Sequence, residues 1–428
     1  MIAGLLLAAA VAGGTLRSSS IEGPSREVEK EVAAIRGLAF KHRVAVRQFS
    51  KAQARAFILR ELAKSPVIED YWAVVRILGL YRGPDLGPLD EILGNLTSLA
   101  AGAYDADTDM LLQFADLDEW EQRELFVHEL YHGLQDQYFD LKGYLLDMAR
   151  KPGANEDEVL ARQAVVEGEA LYVGSIYLRL GTKDVRPMRE QLADIVAAQR
   201  EWSPAQWDES LRNPALTVRM RARLQQAIDA RRRMPPFMLE NFISSYLDGM
   251  AFIHALHEKG WPEVEKLYRL YPPESTEQIL HPAKWNAHES PVVIAWPSFE
   301  PDPLFADWHL LRENVLGERQ WRLVFRAQGF GLEANSAAAG WRGDRYAVFR
   351  HKGGGEFLML MYTSWDTPDD AAEFAAAYRR LLEAKYREVP AQTRVFTQGR
   401  DVLMVEAGTN APADAFMEFN RRGVITQP

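Results

Sequence analysis

Residues 124–140 read ELFVHELYHGLQDQYFD, and this stretch contains the pattern HExxH at positions 128–132. In an α-helix, residues four apart differ by about 40° around the axis, so His128 and His132 project from one face. Two imidazole nitrogens on that face can bind one zinc ion, while Glu129, about 100° further round, can reach a water molecule without being a ligand. The pattern therefore predicts a metal site in which Glu129 is the catalytic general base.

The residues around the pattern are those of a buried helix. Val127, Leu130 and Leu134 are apolar, and burying two histidines and a glutamate among them is costly unless these groups have partners. A metal ion would supply such a partner. The alternative is a helix whose two histidines are buried and hydrogen-bonded without a metal.

A catalytic zinc ion needs a third protein ligand and an open fourth position. The chain contains no cysteine, so this ligand must be His, Asp or Glu. Gln135 and Tyr138 stand where the extended metzincin motif requires a glycine and a histidine, which excludes that arrangement. The later sequence VVEGEA offers two carboxylates, Glu167 and Glu169. Gly168 between them predicts a close approach of this second helix to the HExxH helix.

The combination of HELYH with EGEA resembles the zinc site of the gluzincins, which include the thermolysin-like and alanyl-aminopeptidase-like metallopeptidases. The resemblance implies that His128, His132 and Glu167 bind one Zn²⁺ per chain, with Glu169 as the fallback third ligand. It also implies that Glu129 takes a proton from water and passes it to the leaving amine.

The likeness extends to blocks at 128–140, 166–170 and 272–282, which together resemble a poorly characterised group of exported bacterial and archaeal proteins. In gluzincins an edge strand before the motif pairs with an extended peptide substrate. The resemblance therefore implies this role for the strand that we predict at 110–114.

One departure concerns the group that orients a ligand histidine. Gluzincins usually carry an aspartate four residues after the ligand glutamate, and this chain has Leu171 there. Such groups fix the orientation of a ligand histidine. Asp136, one turn after His132, is a candidate replacement, and a surface carboxylate is the alternative interpretation.

A histidine or tyrosine often stabilises the oxyanion in such hydrolases. The candidates in this chain are His281, Tyr246 and Tyr271. His254 and His257 are three residues apart, and we interpret them as part of a helix face.

The sequence predicts an α+β fold with two domains. Residues 21–300 form a mostly helical zincin-like catalytic domain with a short N-terminal sheet. A proline-rich stretch at 291–303 is predicted to be a linker. Residues 301–428 alternate strand and helix patterns, which predicts a smaller α+β domain with helices packed on a mostly antiparallel sheet.

Residues 1–20 begin with MIAGLLLAAAVAGG and are typical of a signal peptide with a small-x-small cleavage site. This predicts export to a bacterial-type periplasm, cell surface or medium, with membrane contact at most through this segment. The alternative is an N-terminal helix that docks on the protein.

The composition narrows the class of partner. The chain of 428 residues is 47% hydrophobic and 26% charged, with a net charge of −10. A mildly acidic protein is a poor binder of nucleic acid. The resemblance to gluzincins implies a peptide or protein substrate. The predicted function is that of a zinc metallopeptidase. The alternatives are a catalytically retired zincin scaffold that serves as an envelope binding or assembly protein, and a metal-dependent hydrolase of non-peptide substrates.

Overall fold

A computed structural model describes residues 22–62, 70–84, 87, 102–114, 119–180, 234–300, 302–386, 392–408 and 411–426, with isolated positions between 209 and 229 and at 388 and 390. Among these residues, the α-helices of five or more residues are α1 (Glu22–Arg36), α2 (Lys51–Leu62), α3 (Tyr71–Ile77), α4 (Glu119–Phe139), α5 (Glu156–Leu180), α6 (Pro236–His257), α7 (Trp261–Arg269), α8 (Thr276–Leu280), α9 (Pro282–Asn286), α10 (Gly317–Ala327), α11 (Glu333–Ala338), α12 (Pro368–Lys385) and α13 (Ala413–Asn420), and a π-helical turn spans Lys142–Leu146. The strands are β1 (Ala45–Gln48), β2 (Gly102–Asp105), β3 (Met110–Gln113), β4 (Val293–Ala295), β5 (Trp308–Asn314), β6 (Trp341–His351), β7 (Phe357–Trp365), β8 (Arg394–Gln398), β9 (Asp401–Ala407) and β10 (Val424–Thr426).

The chain divides into two compact units, and the fold is mixed α+β with several sheets. The first unit comprises Met1–Ser65, Gly87–Arg150 and Arg162–Pro272, and the second comprises Pro66–Leu86, Lys151–Ala161 and Pro273–Pro428. This division differs from the predicted domains at 21–300 and 301–428, which stay a prediction. The predicted signal segment 1–20 lies outside the described residues. The sequence pattern also predicts helices at 186–200 and 217–233, and the first of these and most of the second lie outside the described residues as well.

The first unit contains a three-stranded sheet in the order β1-β3-β2. Strand β3 pairs in parallel with β1 and antiparallel with β2, so both of its edges are occupied. The prediction that a strand at 110–114 offers a free edge to substrate is therefore wrong. Among the described residues, β2 is an outer strand of this sheet, and it packs against α4.

Helix α4 lies between α1 and this sheet. Its buried apolar side chains join residues of α1, β1, β3 and α5 in one cluster. The fully or largely buried members from α4 are Phe126, Val127, Leu130, Tyr131 and Leu134. The apolar residues of α4 thus pack against neighbouring elements on several sides of the helix. This packing fixes the directions in which its polar residues point.

Helices α5 and α6 cross with their backbones in contact at Gly168 and Gly249. A Cβ atom added at Gly168 would lie 2.1 Å from the carbonyl carbon of Gly249, and one added at Gly249 would lie 1.9 Å from the carbonyl oxygen of Ala164. The close approach predicted for Gly168 therefore exists, but its partner is α6 and not the HExxH helix. The error arose because α6 comes about eighty residues later in the chain.

Replacing Gly168 by alanine should destabilise the protein, because the new methyl group meets backbone that cannot rotate away. We expect a loss of about 3 kcal/mol, the upper end of the usual cost of overpacking. The matched control is Gly174→Ala on the same helix, where the nearest atom to the new Cβ is 3.9 Å away. That variant should be neutral or slightly stabilised by the better helix propensity of alanine. Denaturant midpoints measure both, and equal midpoints would contradict the crossing.

The second unit contains a five-stranded antiparallel sheet in the order β5-β6-β7-β9-β8. One face carries α13, whose Phe416 and Phe419 join a buried cluster with Phe349 and Leu360 of the sheet. The other face carries α10 and α12, where Phe374 stacks near Trp365 with ring centroids 4.3 Å apart. This agrees with the α+β texture expected for the C-terminal part.

A short strand lies inside the stretch predicted to be a linker at 291–303. Strand β4 pairs antiparallel with β10 at the C-terminal end of the described chain, and a 3₁₀ turn follows at Pro303–Phe305. The linker prediction is wrong over these residues. The strand forms because β10, which is distant in sequence, supplies its hydrogen-bond partners, and the local sequence gives no sign of that pairing. Among the described residues, no helix combines the length and the apolar character that crossing a membrane requires.

Candidate metal centre

The imidazoles of His128 and His132 lie on adjacent turns of α4, with their Nε2 atoms 3.1 Å apart. Helix α5 brings Glu167 to the same point, so that its Oε2 lies 3.3 Å from the Nε2 of His128 and 3.4 Å from that of His132. Tetrahedral ligands bound to zinc at 2.0–2.1 Å would be about 3.3 Å apart. The three atoms therefore form a triangle of the size that three zinc ligands require.

The electrostatics of this triad also favour a cation. Burial raises the pKa of Glu167, but the two imidazoles outweigh it and lower that pKa to about 2. Burial lowers the pKa of His128. Burial likewise lowers the pKa of His132, but the nearby carboxylates outweigh it and raise that pKa overall. No described residue hydrogen-bonds the buried Oε2 of Glu167 in normal geometry. A buried ionised oxygen that faces two imidazole nitrogens fits a metal ion, and among the described residues only this triad meets the spacing for one.

Glu129 is fully buried beside the triad. No described side chain or amide hydrogen-bonds either carboxylate oxygen in normal geometry, although the backbone amide of Tyr104 in β2 lies near enough to lower its pKa. Burial is the largest influence and raises the pKa of Glu129 to about 8, against the opposing effect of His132. Buried carboxylates without partners are rare and costly, and perturbed pKa values cluster at functional sites.

Glu169, the fallback ligand, is occupied elsewhere. Its carboxylate accepts hydrogen bonds from the Nε of Arg36 at 3.0 Å, the Nε2 of Gln135 at 3.0 Å and the hydroxyl of Tyr268 at 2.6 Å. Glu167 and Glu169 are two positions apart, so they leave α5 about 200° from each other. The geometry therefore brings Glu167, and not Glu169, to the histidines.

The described side chain that meets the Nδ1 of His132 is Gln135. The Nδ1 of His132 lies 2.8 Å from the Oε1 of Gln135, one turn further along α4. Asp136, the predicted candidate, accepts hydrogen bonds from the Tyr104 hydroxyl at 2.7 Å and the Leu141 amide at 2.8 Å instead, so that prediction is wrong. Residues three apart on a helix are neighbours, so the sequence could have predicted the contact between His132 and Gln135. From the sequence, we interpreted Gln135 only as a residue that does not match the metzincin motif.

The three candidates for oxyanion stabilisation lie in different places. Tyr246 of α6 is buried and stacks on His128, with ring centroids 5.8 Å apart and an interplanar angle of 26°. Tyr271 is about half exposed just after α7. His281 belongs to the second unit and lies 3.0 Å from Glu318. Of the three, Tyr246 is the one that contacts a residue of the triad.

His254 and His257 lie on α6 around the hydroxyl of Tyr172. Their Nδ1 atoms are 3.3 Å and 3.0 Å from that oxygen. Neither joins the metal triad, which agrees with their interpretation as a helix face.

A cavity of about 70 Å³ opens beside the triad, and His132 and Glu167 form part of its wall. Most of the remaining wall is apolar and comes from α2, β2, α5 and the π-helical turn at Lys142–Leu146. The apolar lining residues are Phe57, Ile58, Ala103, Ala106, Phe114, Leu141, Leu145, Leu146 and Val166. Besides His132 and Glu167, the polar residues of the wall are Glu61, Tyr104, Asp105 and Gln163.

Comparison with known proteins bears on the second unit. A family described as a domain of unknown function (DUF8575) matches residues 309–417, which run from β5 into α13. No curated protein and no solved structure gives a match. The family match does not extend to residues 128–167. The evidence for a metal site is therefore the geometry of the triad alone.

Proposed function

We propose that the protein is a zinc-dependent peptidase whose metal is held by His128, His132 and Glu167. The observation that carries the proposal is the triangle of ligand atoms with edges of 3.1, 3.3 and 3.4 Å. The buried Glu129, which no described residue hydrogen-bonds in normal geometry, supports it from the next position of the helix. A histidine pair with one glutamate and an open position is a donor set of catalytic zinc sites.

The residues divide the chemistry between them. When bound, zinc supplies Lewis-acid activation of a water molecule and of the scissile carbonyl. Glu129 accepts the proton of the attacking water and returns it to the leaving amine, a task for which a raised pKa suits it. The buried hydroxyl-bearing ring of Tyr246 stacks on His128, from where it is the best candidate to donate to the developing oxyanion.

The edge of β2 is suited to hold the substrate. An extended peptide can add to a sheet edge through its backbone, and β2, whose residues are buried, is an outer strand of the described sheet. The amide of Tyr104 in β2 lies close enough to Glu129 to lower the pKa of Glu129. A peptide paired there would run past the general base. The neighbouring cavity could then receive one of its side chains.

The cavity predicts which side chain that is. Because its wall combines nine apolar side chains with the carboxylates of Glu61 and Asp105, we expect peptides with leucine or methionine at one position next to the cleaved bond to be preferred over those with aspartate. A difference of one methylene in an apolar pocket changes kcat/KM by about 10–200-fold. Profiling of cleavage products from a random peptide library measures the preference, and charged residues at every favoured position would contradict it.

The test of the proposed function is peptide hydrolysis by the full chain. The zinc-loaded protein should cleave members of a broad peptide library, lose this activity in chelator and regain it when zinc is restored. A zinc-loaded protein that cleaves no peptide but hydrolyses ester or amide substrates of other kinds would favour the non-peptide hydrolase.

The absence of the usual orienting aspartate, whose position holds Leu171, is the sequence feature that favours the retired-scaffold alternative. Gln135 hydrogen-bonds His132 in place of that residue, so this reason for the alternative is weaker. Export of the protein remains a prediction from the N-terminal sequence.

A further inference from the structure

A buried chain of polar side chains extends behind His132, on the side away from Glu167. The Nδ1 of His132 meets the Oε1 of Gln135 at 2.8 Å. The Nε2 of Gln135 lies within hydrogen-bond distance of three oxygens, those of Glu169 at 3.0 Å, the Val166 carbonyl at 3.2 Å and the Tyr268 hydroxyl at 2.8 Å, which share its two hydrogens. His132, Gln135 and Glu169 are all nearly inaccessible to solvent.

The amide of Gln135 can take only one orientation in this chain. Its NH₂ group faces the Glu169 carboxylate and the Val166 carbonyl, which are acceptors without a hydrogen to give. A flipped amide would set its oxygen against both. The oxygen of Gln135 must therefore face His132, and His132 must donate from Nδ1.

The tautomer of His132 follows from this orientation. A neutral imidazole that carries its proton on Nδ1 leaves Nε2 with a free lone pair. The Nε2 atom is the one that points to Glu167, at 3.4 Å. The hydrogen bond from Gln135 thus prepares the nitrogen that a metal would use.

A residue of helix α1 holds the carboxylate of Glu169 in place. Arg36, in the last turn of α1, is buried and forms an ion pair with Glu169 at 3.0 Å. Its guanidinium also lies 4.4 Å from the ring of Trp261 and donates to the Tyr131 hydroxyl at 3.1 Å. The charge of Glu169 is therefore held by a cation that α1 delivers.

We propose that Gln135 is a positioning residue that fixes the tautomer and orientation of His132, and that Glu169, anchored by Arg36, fixes Gln135 in turn. The proposal deepens the proposed zinc site and rests on it for its consequence, which is metal affinity. Groups that orient ligand histidines typically change metal affinity by about 10–100-fold when they are removed.

The first test measures zinc affinity by competition with a chelator. Gln135→Leu should weaken zinc binding by about 10–100-fold. The matched control is Gln122→Leu, the same change at another buried glutamine of α4 whose amide bonds Gln113 at 3.1 Å. Zinc affinity of Gln122→Leu should equal that of the wild type. Equal losses in the two variants would overturn the proposal in favour of a general structural effect.

The second test is rescue. Gln135→Glu sets a carboxylate against that of Glu169 and should weaken zinc binding, because two acceptors cannot share the position. In the double variant with Glu169→Gln, the amide at position 169 can donate a hydrogen bond to the carboxylate at position 135. The double variant should therefore recover most of the zinc affinity. A double variant no better than Gln135→Glu alone would contradict the assigned polarity.

A third measurement separates this proposal from the zinc-peptidase proposal. Imidazole ¹⁵N chemical shifts of metal-free protein report the tautomer of each of the nine histidines, and His132→Ala identifies the relevant signals. In the pH range where His132 is neutral, it should be a single Nδ1–H tautomer in the wild type and a mixture in Gln135→Leu. If the wild type bound no zinc yet gave this result, the function would fail while the positioning role held; unchanged signals in Gln135→Leu would overturn the role itself.

Discussion

Replacing Glu129 by glutamine should lower kcat/KM for peptide cleavage by about 10²–10⁴-fold, the usual contribution of a general base. The substitution keeps the size of a side chain that is fully buried, but it removes the group that accepts a proton. Because Glu129 is not one of the three clustered ligand atoms, the variant should still bind one zinc ion per chain. Steady-state assays and elemental analysis on the same preparation measure the two effects together.

Asp136→Asn is the control for this experiment. It removes a carboxylate from the same helix, but that carboxylate bonds Tyr104 and Leu141 rather than the triad. We expect activity within a few-fold of the wild type. An active Glu129→Gln variant, or one that loses zinc together with activity, would mean that Glu129 does not act as the base.

The HExxH helix could be predicted from the sequence because both of its signals are local. Four-residue spacing places two histidines on one face of any helix, and apolar neighbours indicate that the helix is buried. The choice between Glu167 and Glu169 is not local, since it depends on which side of α5 faces α4. The resemblance to gluzincins, and not the spacing, favoured Glu167.

Other features depend on partners that are distant in sequence. Gly168 approaches Gly249, and β4 pairs with β10. In both cases nothing in the sequence of one segment indicates that the other is its partner. Gln135 is a different case, because its contact with His132 is local. Its role is set by Glu169 and Arg36, which come from other helices.

Glu167→Ala should abolish stoichiometric zinc binding, because it removes one of three protein ligands and leaves the two histidines of α4. The loss of affinity should exceed the roughly 10–100-fold that is typical of residues outside the ligand set. Glu169→Gln is the informative comparison, since it lies two residues away and was the other carboxylate that the sequence offered. Because Glu169 contacts Gln135 and not the triad, this variant should retain zinc with affinity reduced only within that range.

The two variants also differ in what they do to the fold. Removing Glu167 costs the metal-free protein the attraction of two imidazoles at 3.3 and 3.4 Å, but it also removes a buried oxygen that no described residue hydrogen-bonds in normal geometry. Glu169 pairs with the buried Arg36, and loss of one partner of a buried ion pair is strongly destabilising. Metal-free Glu169→Gln should therefore unfold at a lower denaturant concentration than metal-free Glu167→Ala. If Glu169→Gln lost zinc and Glu167→Ala kept it, the assigned ligand would be the wrong carboxylate of α5.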